Sequence, residues 1–450
     1  MNGQSGFFTD TIAAIATGAG KAGIGVIRVS GPQAGEVARQ LTGITLKPRH
    51  AHYLPFLDEQ SDVIDEGVAL YFVAPHSFTG EDVLELQGHG GAVVLQLLLA
   101  RVMALGARAA RPGEFSERAF HNNKLDLAQA EAISDLMDSS SAAAARAAVR
   151  SMRGEFSYDI QRINDELIAL RVWLEAALDF SEEDIDFLAE PQLLNRAAEL
   201  INAFDLLLAR AEQGQRLRDG LNVVIAGATN AGKSSLLNRL SGEDTAIVTD
   251  IAGTTRDVLR TDISIDGVPL HIVDTAGVRD TDDVVEKAGI ERAKKAVEEA
   301  DHVLVLLDAT SPVMPQLPAV DNDRVSVVLN KSDLLDGQSL ESVGSAFNAV
   351  LAVSALTGQG FTDLREHLLL LAGHNQHIDG VYSARRRHVN AIEQARTATQ
   401  AALLRLQENS LPELAAEELR LAQQSLEIIT GRFDSEDLLG EIFSSFCIGK

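Results

Sequence analysis

Val223-Val-Ile-Ala-Gly-Ala-Thr-Asn-Ala-Gly-Lys-Ser-Ser-Leu-Leu237 is the stretch that decides the fold. Its apolar start predicts a buried strand, its centre a glycine-containing loop, and the apolar spacing from Leu236 onward a helix. Strand, loop and helix in this order are the context of a phosphate-binding loop. Backbone N–H groups and the helix N-terminus would surround an anion, Lys233 would reach the outer phosphates, and Ser234 would ligate magnesium.

Two further segments carry groups that the γ-phosphate of a nucleotide requires. Gly253-Thr-Thr-Arg-Asp257 is a polar loop of the kind that closes over a γ-phosphate, and Asp274-Thr-Ala-Gly277 follows a predicted strand. Thr255 is then the second candidate magnesium ligand. Asp274 would hold the ion through water, and the backbone N–H of Gly277 would face the γ-phosphate.

The choice of base is predicted by two later segments. Asn330-Lys-Ser-Asp333 and Ser354-Ala-Leu356 each follow an apolar run that predicts a strand. The Asp333 carboxylate would accept two N–H groups from guanine. Adenine lacks these donors and would leave a buried charge unpaired, so a site of this kind discriminates strongly. The sequence therefore predicts a guanine-nucleotide-binding domain.

Length, composition and charge limit the number of domains and the classes of binding partner. A chain of 450 residues with 46% hydrophobic content can form roughly two or three domains with substantial cores. Its 39 Lys and Arg against 65 Asp and Glu give a net charge of −26, which disfavours broad, non-specific adhesion to nucleic acid or anionic membrane. Any contact with RNA is therefore expected to be local or supplied by a partner.

Cysteine usage and hydropathy indicate the compartment. Cys447 is the only cysteine, so no disulfide can form within the chain, which fits a reducing cytoplasm. No apolar run reaches membrane-spanning length, and the first residues lack the basic start and apolar core of a secretion signal. We therefore expect a soluble cytoplasmic protein with no part in the membrane.

The N-terminal residues 1–120 predict a mixed α/β domain. Strands are expected at Thr11–Thr17 and Gly25–Ser30, and a helix at Ala92–Leu105. The run Gly18-Ala-Gly-Lys-Ala-Gly23 has neither a Ser or Thr after its lysine nor a helix behind it. A hairpin turn is therefore a better interpretation than a second phosphate-binding loop.

Helical periodicity begins near residue 125 and returns after the nucleotide-binding segment. Apolar residues recur every three or four positions from Ile160 to Ala177 and, after Pro412, from Ala415 to Ile429. Helices with one apolar stripe need a partner, so the late helices are expected to pack on the early ones. A long dimeric coiled coil is the alternative.

The predicted fold class is multidomain, α/β plus all-α. An α/β domain (1–120) precedes a discontinuous helical domain (121–216 and 377–450), into which a Ras-like P-loop domain with a doubly wound sheet (217–376) is inserted. The basic run Arg385-Arg-Arg-His388 could meet RNA, but we expect it to face solvent or pair with carboxylates. His89, between glycines, is expected in a turn, since no Cys/His set has metal-ligand spacing.

The whole chain resembles the MnmE (TrmE) family, bacterial GTPases of tRNA uridine-5-carboxymethylaminomethyl modification, in three blocks. The first comprises Gly25-Val-Ile-Arg-Val-Ser-Gly31, the segment from Ser77 to Gly91, and Arg111-Pro-Gly-Glu-Phe-Ser-Glu-Arg-Ala-Phe120. The second is the inserted nucleotide-binding domain, and the third is the tail Phe446-Cys-Ile-Gly-Lys450. One position departs from the family pattern, because the family usually has proline where this phosphate-binding loop has Thr229. We expect this difference to affect the rigidity of the loop and not its chemistry.

The resemblance implies a homodimer formed through an N-terminal folate-binding domain. Together with a flavin-containing partner, in a heterotetramer, such a protein builds a carboxymethylaminomethyl or aminomethyl group on carbon 5 of the wobble uridine of certain tRNAs. A folate of the 5,10-methylenetetrahydrofolate type would donate the one-carbon unit. The folate contacts of the family map onto Arg28, Glu85, Lys124 and Lys450, residue types that suit the carboxylates and pterin N–H groups of a folate.

The resemblance also assigns ions and nucleotide contacts. Potassium would be held by Asn230, Thr249, Ile251 and Thr254, and magnesium by Ser234 and Thr255. The expected contacts with GTP are Asn230, Ala231, Gly232, Lys233, Ser234, Ser235, Thr249, Asp250, Ile251, Ala252, Gly253, Thr254, Thr255, Asp274, Thr275, Ala276, Gly277, Asn330, Lys331, Asp333, Ser354, Ala355 and Leu356.

Three residues are expected to act in the chemistry. Lys233 would act on the phosphates. Val278 stands where many GTPases carry a glutamine that orients water, and the resemblance to the family assigns this role to Glu286; the alternative is that Glu286 is one more acid in an acidic helix start. Cys447 would serve modification as a nucleophile or an acid/base, or would only pack. Two other functions stay open: a switch GTPase of ribosome assembly and a nucleotide-gated scaffold. An assembly GTPase would be expected to carry a basic RNA-binding module, which this sequence does not show.

Overall fold

The computed structural model describes residues 8–18, 20–139, 141–179, 191–228, 230–243, 260–265, 268–274, 295–298, 300–312, 314, 320–335, 349–372, 380–407, 412–431, 442–444, 446 and 449. The chain divides into two compact units. One contains Met1–Ser134, Met152–Leu200 and Gln394–Lys450, and the other contains Asp135–Ser151 and Ile201–Glu393. The boundaries of the three predicted domains stay a prediction.

The first unit begins with an α/β layer pair. Its strands are β1 (Ile12–Ile15), β2 (Ala22–Ser30), β3 (His52–Leu57), β4 (Val63–Phe72), β5 (Val83–Gly90) and β6 (Arg108–Ala109). They form one sheet in the order β3-β4-β5-β2-β1-β6, antiparallel except where β6 runs parallel to β1. Because β1 and β2 pair antiparallel, the glycine-rich connection at Gly18–Gly23 belongs to a hairpin, as predicted.

Two helices cover this sheet, α1 (Ala34–Thr42) and α2 (Ala92–Ala104). Alternate residues of the central strands and the inward stripe of each helix are apolar, so one hydrophobic core forms between them. It includes Ile27, Val29, Leu84 and Leu86 of the sheet and Val37, Leu41, Leu98 and Val102 of the helices.

The prediction of a turn at His89 is wrong, because this residue lies in β5. Its backbone N–H and its Nδ1 each lie 2.7 Å from a carboxylate oxygen of Asp65 on β4. The glycines on either side of His89 permit a close approach of strands: a Cβ atom at Gly90 would stand 2.5 Å from the carbonyl oxygen of Ala22 on β2. These glycines therefore mark strand contact and not chain reversal.

The helical part of the first unit pairs an early helix with a late one. The residues of α6 (Glu155–Asp179) that repeat at helical spacing, from Ile160 to Leu174, are buried, and so are those of α11 (Pro412–Thr430), from Ala415 to Ile429. The two helices are in contact, and Arg171 Nη1 donates to Gln423 Oε1 at 2.7 Å. The prediction that late helices pack on early ones is confirmed.

The second unit contains a parallel sheet with one antiparallel edge strand. Its strands are β7 (Leu221–Ala226), β8 (Arg260–Ile265), β9 (Val268–Asp274), β10 (His302–Asp308), β11 (Val325–Asn330) and β12 (Val350–Ala352). The order is β12-β11-β10-β7-β9-β8, and only β8 runs antiparallel to its neighbour. Helices α8 (Lys233–Glu243) and α9 (Phe361–Leu371) cover one face, and Val297 and Ala300 lie on the other.

The basic run at the start of α10 (Arg386–Gln407) makes a buried ion pair within this unit. Arg385 Nη2 lies 2.9 Å from Oδ1 of Asp135, which stands in α4 (Leu127–Met137) and is 6% exposed. Arg218, near the end of α7 (Pro191–Asp219), reaches the same oxygen at 2.8 Å. For Arg385, the expected pairing with a carboxylate is confirmed.

Among the described residues, no helix combines the length and apolar character needed to cross a membrane.

A buried hydrogen-bonded chain joins β10, β11 and α9. The Nε2 atoms of His302 and His367 each lie 2.8 Å from Ser326 Oγ. Burial, followed by the charges of His367 and Arg324, lowers the pKa of His302 from 6.5 to about 4, and burial lowers the pKa of His367. The folded protein therefore keeps His302 neutral where the unfolded chain would bind a proton.

We expect this histidine to make stability depend on pH with a defined sign. Because its pKa is depressed in the folded state, its contribution is complete above about pH 6.5 and is lost as the pH falls toward about 4, by about 1.4 kcal/mol for each pH unit. When the pH is lowered from about 7 to about 5, the free energy of unfolding measured by urea titration should fall less for His302→Gln than for the parent. Equal losses in both proteins would contradict the assignment.

Candidate nucleotide-binding site

The phosphate-binding loop lies between β7 and α8, where strand order reverses. β7 has β10 on one side and β9 on the other, and ligands of doubly wound sheets bind at such a point, beyond the carboxyl ends of the strands. Asp274 ends β9, Asn330 ends β11, and Ser354 follows β12 closely. The fold therefore brings together segments that the sequence separates by more than a hundred residues.

The backbone of the loop has the shape that an anion requires. Gly232 has φ +94° and Asn230 has φ +72°, both in the left-handed region, and a Cβ atom at Gly227 would stand 2.3 Å from the carbonyl oxygen of Leu306. Lys233 begins α8, and its Nζ lies 2.5 Å from the carbonyl oxygen of Gly227 and 3.1 Å from that of Ala228. The lysine ammonium and the helix N-terminus both place positive charge at the loop, which suits phosphate.

Asn330 connects the phosphate-binding loop to residues 354–358, the loop after β12 that is expected to hold the base and is called the base loop below. Its side chain is buried at 2% exposure. Its Nδ2 donates to the carbonyl oxygen of Ala231 at 2.9 Å, and its Oδ1 accepts from the backbone N–H of Ala355 at 3.0 Å. One amide therefore fixes the distance between the loop that would hold the phosphates and the loop that would hold the base.

The next residue, Lys331, has a left-handed backbone and a paired ammonium. Its φ is +63°, and its Nζ lies 2.5 Å from Oδ2 of Asp308 at the end of β10. Hydrogen bonds from Lys331 and then Thr310 lower the pKa of Asp308 from 3.8 to about 2. Asp308 was not predicted from the sequence, although its place at the carboxyl end of a parallel strand beside β11 could have indicated it.

The base loop is held by its own backbone and exposes one apolar side chain. Ser354 is fully buried, its Oγ accepts from the N–H of Thr357 at 3.1 Å, and its carbonyl oxygen accepts from Gly358 at 2.8 Å. Leu356 is 83% exposed. Asp333 is exposed in the turn Ser332–Leu334 that follows β11. The groups expected to contact the base therefore stand beside the loop of the phosphates.

Of the other residues predicted to contact the nucleotide or its ions, three are described, and the rest fall outside the part of the chain that the structure describes. Ser234 and Ser235 are exposed in the first turn of α8, and Asp274 is described as the last residue of β9. The remaining positions lie in undescribed segments; they are Thr249, Asp250, Ile251, Ala252, Gly253, Thr254, Thr255, Thr275, Ala276, Gly277, Glu286, Cys447 and Lys450.

Three of the four predicted folate residues lie around one loop of the first unit. Arg28 and Glu85 are cross-strand partners on β2 and β5, with Nη2 and Oε1 2.9 Å apart. The guanidinium of Arg28 lies 5.4 Å from the ring centroid of Phe78. Lys124 Nζ donates to the carbonyl oxygen of Pro75 at 2.9 Å. Both cations therefore contact the loop that connects β4 and β5.

A buried arginine behind this loop was not found from the sequence. Arg118 in α3 (Glu114–His121) has a fully buried side chain and lies 3.1 Å from Glu81 and 3.1 Å from Glu114. Burial would raise the pKa of Glu114, but hydrogen bonds from Arg108, the backbone of Arg111 and Arg118 lower it to about 2. Arg118 belongs to the block 111–120 that carries the family resemblance, but nothing local in that block indicates that its side chain is buried. Among the described residues, no group of His, Cys, Asp and Glu could hold a metal ion.

This arrangement of sheet, phosphate-binding loop and base loop defines the chain as a P-loop nucleotide-binding protein. The family model described as "GTP-binding protein TrmE N-terminus" matches residues 11–124, and that described as "MnmE helical domain" matches residues 127–447. The chain belongs to the MnmE family of tRNA modification GTPases. The fold class expected from the sequence is confirmed with it.

Curated relatives match over nearly their full length. A tRNA modification GTPase MnmE of Pseudomonas aeruginosa (strain UCBPP-PA14) is 55% identical, over 98% of this chain and 99% of that protein. The protein of the same name from Pseudomonas fluorescens (strain Pf0-1) is 53% identical over the same shares. Among solved structures, the G domain of the T. maritima FeoB iron transporter covers 34% of this chain and 98% of its own, at 22% identity and a TM-score of 0.26; this likeness supports no inference.

Proposed function

We propose that this protein hydrolyses GTP in order to modify the wobble uridine of certain tRNAs. Acting with a flavin-containing partner, it installs a carboxymethylaminomethyl or aminomethyl group at carbon 5, with a folate as the one-carbon donor. Membership of the MnmE family supports the tRNA modification. The observation that carries the nucleotide part is the buried amide of Asn330, which joins the phosphate-binding loop to the base loop.

The folate part of the proposal rests on the surroundings of Arg28 and Lys124. The guanidinium of Arg28 lies over the rings of Phe78 and Phe115, at 5.4 and 5.9 Å from their centroids. Arginine and lysine pair with carboxylates, and Glu85 can accept pterin N–H groups. A bound folate would supply a one-carbon unit at the oxidation level of formaldehyde, and these residues would bind and orient it.

The position of the chain end agrees with a role for the tail at the same place. Gly449 has φ +99°, and a Cβ atom there would stand 2.4 Å from the carbonyl oxygen of Ile15. Ile15 belongs to β1, whose next residue toward the N-terminus, Ala14, pairs with Arg28. The residue before the terminal Lys450 therefore contacts the strand beside Arg28, which supports Lys450 as a folate contact.

Magnesium and potassium complete the proposed GTPase. Ser234 stands in the first turn of α8, next to Lys233, where a hydroxyl can ligate the magnesium of a nucleotide; Thr255 is proposed as the second ligand. Asn230 stands in the loop itself, where its amide oxygen can ligate potassium with Thr249, Ile251 and Thr254. The cation would provide charge that an arginine supplies in other GTPases.

We expect hydrolysis to be many times faster in potassium chloride than in sodium chloride. Asn230→Ala should lose this preference, whereas Asn230→Asp keeps an oxygen ligand and tolerates the φ of +72°. The rate of phosphate release at equal ionic strength in the two salts measures the effect. A parent protein indifferent to the cation would refute the potassium site.

The proposed tRNA chemistry is tested at Cys447. We expect Cys447→Ser to hydrolyse GTP and bind folate like the parent, but to fail to restore modified wobble uridine in cells that lack the protein, because serine keeps the size of the side chain but is a far weaker acid. Mass analysis of tRNA nucleosides gives the result. Full restoration would assign Cys447 to packing, and the reacting group would then lie in the N-terminal domain or in the flavin-containing partner.

A further inference from the structure

Arg239 is a side chain of α8 that reaches the base loop. Its Nη1 donates to the carbonyl oxygens of Leu356 at 3.0 Å and Ala355 at 3.3 Å, and its Nη2 donates to that of Thr357 at 3.3 Å. Three successive carbonyl groups therefore converge on one guanidinium. The same cation lies 5.5 Å from the ring centroid of Phe361, the first residue of α9.

The helix holds this guanidinium in a fixed place. Leu236 and Leu240, on either side of Arg239 along α8, are buried at 0% and 1% exposure in the core of the second unit. The ring of Phe361, itself 3% exposed, fixes the other side of the guanidinium. Gly358 has φ +90°, and a Cβ atom there would stand 2.2 Å from Nη2. The loop is therefore shaped around the arginine.

Arg239 and Asn330 hold the base loop from two directions. The amide of Asn330 accepts from the N–H of Ala355, while Arg239 donates to the carbonyl oxygens of Ala355, Leu356 and Thr357. A backbone N–H group and three backbone carbonyl oxygens of the base loop are thereby held in place. The two side chains that hold them belong to segments that also position the phosphate-binding loop. Asn330 contacts Ala231, and α8 begins at Lys233.

We infer that Arg239 is a positioning residue for guanine selection: it holds the base loop at a set distance from the phosphate-binding loop. The inference rests on the proposed binding of GTP and adds a residue outside the motifs that contact the nucleotide. Without the guanidinium, the arrangement of the loop that accepts guanine is only partly populated, and the apparent affinity falls by that fraction. Arginine suits the task because its planar fork carries donors to several acceptors at once.

The test compares three variants of the full-length protein. Arg239→Met keeps the aliphatic stem and removes the guanidinium, Arg239→Lys keeps a charge with a single donor group, and Asn238→Ala changes an exposed neighbour on the same helix. Dissociation constants for GDP and for ADP are measured by competition against a fluorescent GDP analogue. Hydrogen exchange followed by mass spectrometry reports on the amides of residues 354–359 and 227–235.

We expect Arg239→Met to raise the Kd for GDP about tenfold, while the Kd for ADP stays at the parent value, because adenine gains nothing from the base loop. Arg239→Lys should recover part of the loss, and Asn238→Ala should match the parent. Exchange should rise in residues 354–359 and stay constant in residues 227–235. A GDP affinity unchanged in Arg239→Met, or equal losses for GDP and ADP, would overturn the inference. A parent protein that fails to bind GDP would instead refute the proposed function.

Discussion

Replacing Asn330 with alanine is expected to remove most of the affinity for guanine nucleotides. The substitution leaves the carbonyl oxygen of Ala231 and the N–H of Ala355 without the partner they have at 2.9 and 3.0 Å. A buried polar group left unsatisfied costs about 1 to 3 kcal/mol. The free protein can relax away from this arrangement, whereas the nucleotide complex needs it, so the two costs together fall on binding and raise the Kd for GDP by a factor of about 30 to 10⁴. Isothermal titration with GDP measures the change directly.

The control for this prediction is another asparagine of the same unit. Asn322 is exposed in the turn Asn322–Arg324 that precedes β11, so Asn322→Ala should bind GDP like the parent. Circular dichroism of both variants should match the parent, which would show that the sheet is intact. A GDP affinity of Asn330→Ala within about threefold of the parent value would mean that the two loops do not depend on this amide.

Replacing Glu286 with alanine is expected to stop hydrolysis while GTP still binds. Val278 follows Asp274-Thr-Ala-Gly277, where many GTPases carry the glutamine that orients water, and we propose that Glu286 takes this part. Loss of a group that orients and activates water lowers a rate by about 10² to 10⁴. A fall in kcat with an unchanged Kd for GTP is the mark of an interaction made in the transition state.

A neighbouring acid distinguishes this role from general electrostatics. Glu291 lies five residues further along the same acidic segment, and Glu291→Ala should hydrolyse GTP at the parent rate. Single-turnover hydrolysis in potassium chloride, together with GTP binding, gives both quantities. If Glu286→Ala and the parent hydrolyse GTP equally fast, another group orients the water.

Much of the nucleotide site could be predicted because it depends on short segments with strict local chemistry. Gly232 and Lys233 stand in a motif whose spacing follows from the geometry of an anion, and the apolar run before them predicts the central strand. Helix α11 could be predicted as well, since the apolar residues from Ala415 to Ile429 keep helical spacing and are buried as expected. Periodicity and loop chemistry are local, so the sequence alone contains them.

The parts that could not be predicted are contacts between distant segments. Asp308 pairs with Lys331 only because β10 and β11 run parallel and in register. Arg239 reaches the base loop only because α8 and α9 cover the same face of the sheet. His89 is a case in which a local signal misled. The glycines beside it indicate a turn in the sequence, but in the fold they allow two strands to approach closely. Register and helix placement decide these cases, and neither has a local sequence signal.

The most direct test of the central claim is mass analysis of tRNA nucleosides from cells that lack this protein. We predict that the substituent on carbon 5 of the wobble uridine is absent in these cells, returns when the parent protein is supplied, and does not return with Asn330→Ala. Fully modified wobble uridine in cells without the protein, or full restoration by the variant with weakened nucleotide binding, would contradict this prediction.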